Sequence, residues 1–178
     1  MTDKDSMLHN IKNKVAKNPT TYILSFALLV TFLVLYYISF YNYLFYHTTI
    51  EFFAIFVGFS LSLVAFATRN ISKNKLFAKI GIIYFFVSST DFIHTLAYKG
   101  MNIFHGWTAN EPTQFWILGR MLERGGFVAL YFLNAKAIKN LKFASFFATA
   151  SIAGIVLIIT NKFPNCFVEG YGLTKFKI

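Results

Sequence analysis

Five stretches of roughly twenty apolar residues, separated by short polar gaps, constrain this chain more than any other feature. They run from about 20 to 40, 47 to 68, 76 to 98, 113 to 133 and 143 to 160. A helix rising about 1.5 Å per residue needs about 20 such residues to cross a hydrocarbon layer about 30 Å thick. None of the runs alternates with a period of two, as a membrane β-barrel strand must. The fold class expected is therefore all-α: a polytopic helical transmembrane bundle of about five spans. Composition agrees, since only 13% of residues are charged, against about 25% in soluble domains.

The first run is longer than the core of about 7–15 residues in a signal peptide. It ends in Tyr36-Tyr37-Ile38-Ser39-Phe40-Tyr41 with no small-residue cleavage site, so it reads as a retained helix. Tyr41, Tyr43 and Tyr46 suit a membrane–water boundary, where an aromatic body and a polar tip are both satisfied.

A net charge of +10 raises the question of nucleic acid. The cations lie in the gaps instead. Segments 1–19, 69–79 and 134–142 carry eleven Lys and Arg, and segments 41–47, 98–112 and 161–178 carry four. That bias places the N-terminus in the cytoplasm and makes the bilayer, not nucleic acid, the partner. Residues 1–19 are then a cytoplasmic arm, and 20–178 a transmembrane domain ending in an extracytoplasmic tail, 161–178. The single cysteine, Cys166, excludes an internal disulfide framework and a site built from several thiolates.

Ionisable residues interrupt the apolar runs at a few positions. Asp91, His94 and Tyr98 are spaced three and four apart, which puts them on one helix face. Arg120 and Glu123 sit inside the fourth run, and His47 and Glu51 open the second. Charges inside a bilayer are costly, so these groups must face protein or water. At 1.5 Å per residue, Asp91 lies about 10 Å below Tyr98, Arg120 about 10 Å below Thr113 and Glu51 about 6 Å below His47. Three helices thus bring polar groups to the outer leaflet, where they would enclose a pocket.

Three functional readings fit such a pocket. It binds an extracytoplasmic or lipid-soluble small molecule, with Arg120 offering its fork of donors and Asp91 and His94 opposing it. It holds a divalent metal on His47, Glu51, Asp91 and His94. Or such a metal activates water, and the protein is a metal-dependent intramembrane hydrolase. Against all three stands a purely structural reading, with Asp91 paired to Arg120 and Glu51 or Glu123 paired to Arg124. A transporter half is disfavoured by the scarcity of polar residues in the inner halves of these runs. His105, in an outer loop, reads as solvated.

Three segments resemble the membrane-associated sensor domain of the third MASE type: His47-Thr-Thr-Ile-Glu51-Phe-Phe-Ala-Ile-Phe-Val, Asp91-Phe-Ile-His94-Thr-Leu-Ala-Tyr98-Lys-Gly100-Met, and Thr113-Gln-Phe-Trp116-Ile-Leu-Gly-Arg120-Met-Leu-Glu123. Phe167 to Ile178 looks like a further segment of it. The resemblance implies a sensor in a bacterial or archaeal cell membrane, placed ahead of a histidine kinase or diguanylate cyclase. It points to His47, Glu51, Asp91, His94, Tyr98, Lys99, Trp116, Arg120 and Glu123 as the residues that matter. Arg124, Gly125 and Gly126 depart from it. The family domain continues into further helices, so the chain is expected to be partial, with its cytoplasmic output domain outside it. No kinase or cyclase motif is present. A second copy of the chain is a candidate partner.

Overall fold

The computed structural model describes residues 19–71, 75–132 and 138–177. The N-terminal arm and its lysines lie outside the described residues. Five helices account for most of the remainder: α1 (Pro19–Tyr41), α2 (Tyr43–Ala67), α3 (Lys75–Ala97), α4 (Asn110–Phe132) and α5 (Asn140–Ile159). The strands β1 (Phe167–Val168) and β2 (Gly172–Leu173) form a small antiparallel hairpin. The chain divides into two units, Met1–His47 and Thr48–Ile178, so α2 begins in the first and continues through the second.

In the first unit, Pro19 opens α1 where a missing N–H costs nothing. The helix is apolar on every face and buries no side chain, which is what a lipid-contacting span looks like. Asn42 separates α1 from α2. Its N–H still donates to Ile38 O, while its Oδ1 accepts from the Phe45 N–H at 3.0 Å and so caps α2.

In the second unit, α2 and α3 meet through small residues. Ser62 Oγ donates to Gly81 O at 2.8 Å, and a methyl group on Gly81 would stand 2.4 Å from Ala65 Cβ. Gly58 gives way in the same manner to Ser88. Close backbone approach of this kind drives helix association in lipid, where no hydrophobic effect helps. The core lies between α3, α4 and α5, around Ile83, Val87, Phe115, Leu118, Phe143, Phe147 and Ile158.

Among the described residues four helices, α1, α2, α3 and α5, are long and apolar enough to cross a membrane. The α4 helix has the same length as α3 but carries Glu111, Arg120, Glu123 and Arg124, and its own composition does not qualify it. Lys79 belongs to α3 and not to the turn before it. It is 1% exposed, with its ammonium 3.2 Å from Asn140 Oδ1 on α5.

Candidate functional site

The N-terminal end of α4 is built by local chemistry. Glu111 reaches back to the Thr108 N–H at 2.7 Å, and Pro112 occupies the first turn. This capping box fixes where α4 starts. It also fixes the Pro112 carbonyl, which receives Nδ1 of His94 at 2.7 Å. A carbonyl only accepts, so the hydrogen is on Nδ1, and the neutral ring offers its lone pair on Nε2. His94 is 7% exposed.

One turn earlier on α3, Asp91 faces α4. Its Oδ2 accepts from Arg120 Nη2 at 2.5 Å, and Arg120 Nη1 donates to Glu123 Oε2 at 2.8 Å. The Tyr84 hydroxyl lies within electrostatic reach of the Glu123 carboxylate, which links the cluster back to α3. Gly119 makes the approach of α4 feasible, because a methyl group there would lie 2.9 Å from Asp91 Oδ1 and 3.0 Å from Thr90 Oγ1. The fork is incomplete. Asp91 Oδ1 and Arg120 Nε are buried with no hydrogen-bond partner among the described residues. A small molecule carrying both a donor and an acceptor, water included, satisfies both.

Glu51, on α2, completes this side of the cluster. A carboxylate oxygen of Glu51 and a ring nitrogen of His94 lie within 4.8 Å of each other. Asp91 feels the charges of both Glu51 and Arg120. Glu51 and His94 are two donors that a divalent ion uses. The Asp91 carboxylate is turned onto Arg120 instead. His47 stands one turn before Glu51 on α2, half-buried, with its ring tilted against that of Tyr43.

The remaining expected residues are placed as follows. Trp116 lies under the Arg120 guanidinium, 5.9 Å from ring centroid to Cζ. Tyr98 is half-buried just beyond the end of α3. Lys99 is exposed and pairs with Glu169 of the hairpin at 2.7 Å, away from the buried cluster. The pairing expected of Glu123 with Arg124 gives way to Glu123 with Arg120, and Arg124 is exposed.

Two participants were not anticipated. Tyr84 sits seven residues before Asp91, two turns along the same face, and that spacing was the available signal. Lys177 places its ammonium 4.7 Å from the Trp116 ring centroid. No local pattern in the sequence connects it to α4, because the tail is folded back by Asn110 and Gln114. Asn110 Oδ1 accepts the Cys166 and Phe167 N–H groups at 2.8 and 3.0 Å, and Gln114 Nε2 donates to Phe163 and Pro164 carbonyls.

A helical membrane protein with a cluster of ionisable side chains held between its helices is the class that these features define. The model of the MASE3 family, described as a membrane-associated sensor domain, matches residues 38–178, and the chain belongs to that family. No curated protein and no solved structure shows significant similarity to it.

Proposed function

We propose that this sensor domain takes a small ligand at the Asp91–His94–Arg120 cluster and passes the signal inward to a kinase or cyclase. Glu51 and Glu123 orient the three, and Trp116 and Tyr98 border them. The observation that carries this reading is the half-made fork between Arg120 and Asp91, with a buried donor and a buried acceptor left over on the same pair of side chains. Two helices meet at that pair. A ligand that completes the fork binds one packing of α3 against α4 better than another, and so shifts their equilibrium. Family membership supports the sensory role.

The test is signalling output from a protein that carries this domain ahead of its kinase or cyclase. Asp91→Asn, His94→Ala and Arg120→Ala should each alter output while the protein still inserts in the membrane. Wild-type output from all three variants would refute the proposal.

A further inference from the structure

A groove of about 430 Å³ opens between α2 and α3, away from the charged cluster. Phe56, Phe59, Leu63, Phe66 and Phe85 line it, together with Ser60 and Ser62. Its volume falls in the range of about 300–1,000 Å³ typical of small-molecule sites. Four phenyl rings make a wall that suits a flat ring, since aromatic groups pack edge-to-face or offset. Phe59 and Phe85 already meet in that way, with ring centroids 5.9 Å apart.

The two serines differ. Ser62 gives its hydroxyl to the Gly58 and Gly81 carbonyls at 3.0 and 2.8 Å. The Ser60 hydroxyl has no hydrogen-bond partner among the described residues and fronts the groove. An unpaired hydroxyl in apolar surroundings is unfavourable and is relieved by an acceptor.

Depth selects the acceptor. Ser60 is five residues past the middle of α2, Ile55, which amounts to about 7 Å along the helix. With α2 centred in the bilayer, the edge of the hydrocarbon lies about 15 Å from the midplane. Ser60 therefore sits well inside that edge, deeper than the ester carbonyls of a phospholipid reach. A molecule that carries a carbonyl into the hydrocarbon can meet it.

We infer that the groove binds a lipid-soluble ring compound bearing a carbonyl, of the quinone class, with the carbonyl accepting from Ser60 and the ring among the phenylalanines. The Ser62–Gly81 contact stands directly behind it. Occupancy therefore bears on how α2 meets α3, the helix that carries Asp91 and His94. The inference does not depend on the ligand of the charged cluster.

The test uses the full chain in lipid nanodiscs and a photoreactive azido derivative of decylbenzoquinone, with labelled peptides mapped by mass spectrometry. Labelling should saturate, fall between Phe56 and Phe66 and around Phe85, and be displaced by decylbenzoquinone but not by decylbenzene. Ser60→Ala should weaken binding about five-fold, the loss expected for one hydrogen bond. Ser60→Thr should restore it. Ser60 bonds to no other side chain, so both variants should keep the wild-type melting temperature. Unsaturable labelling, equal labelling of Ser60→Ala, or equal competition by decylbenzene would overturn the inference. So would a cross-link from residue 60 of one copy to residue 60 of another, since a second copy would then fill the groove.

Discussion

Arg120 on α4 holds Asp91 on α3 through Nη2 and Oδ2, 2.5 Å apart, and Glu123 on its own helix through Nη1 at 2.8 Å. The two side chains of the interhelical pair are 26% and 13% exposed, so solvent screens the contact only in part. One guanidinium thus serves two carboxylates.

The two single substitutions at this pair should not cost the same. Arg120→Ala strands both carboxylates and should destabilise by about 3 kcal/mol, the lower end for breaking a buried pair. Asp91→Asn leaves Arg120 its bond to Glu123 and should cost less. The double variant should lose clearly less than the sum of the two. Unfolding in detergent measures all three, and strict additivity would mean that no coupling exists.

Glycines on α4 divide by what surrounds them. Gly119→Ala pushes a methyl group to 2.9 Å from Asp91 Oδ1 and should cost about 1–3 kcal/mol. Gly125 has nothing within 4 Å, so Gly125→Ala should be neutral or stabilise by up to about 1 kcal/mol through helix propensity. Melting temperatures of the two variants should move in opposite directions or differ by several degrees.

The Cys166 thiol is buried, and burial pushes its pKa up; the nearby Lys177 ammonium opposes this more weakly. It donates to Pro164 O at 3.4 Å. Its contribution to the fold is complete below the ordinary thiol range and is lost as pH rises through the raised value. Alkylation by iodoacetamide at pH 8 should be slow in the folded protein and fast after denaturation. Equal rates would place the thiol at the surface.

The hairpin is tied to the loop after α3 by Lys99 and Glu169. The hydrogen bond and charge of Lys99 hold the Glu169 carboxyl below the usual carboxylate range. The tie is present above that range and fades as pH falls through the lowered value. Lys99→Ala should lower the protection of the Val168–Gly172 pairing against hydrogen exchange and make that protection, relative to the intrinsic rate, independent of pH, and added salt should mimic the change.

The helices were legible because lipid imposes a single demand, an unbroken apolar run of the right length, and each run became a helix within a few residues of its expected limits. The meeting of Asp91 with Arg120 was legible from depth alone, since both lie about seven residues inside the outer ends of their runs. Pairing within the cluster was not. Arg124 is adjacent to Glu123 in sequence, but adjacent residues on a helix point in different directions, whereas Arg120 is one turn away on the same face. Lys177 was hidden for a different reason. Its place is set by two side chains, Asn110 and Gln114, that catch the tail from 49 to 57 positions away. Lys79 read as part of the turn because its neighbours are basic, whereas it lies on α3 and meets Asn140 of α5.

The central claim is that the Asp91–Arg120 pair sets the packing of α3 against α4 and that this packing is the signal. Phe92 on α3 and Met121 on α4 are exposed neighbours of the pair and accept spin labels, with Cys166 replaced by alanine. Pulsed electron resonance in nanodiscs then reads the distance between the two helices with Asp91 intact and with Asp91→Asn. A shifted or newly bimodal distribution in the variant is the result expected. Superimposable distributions would contradict the claim.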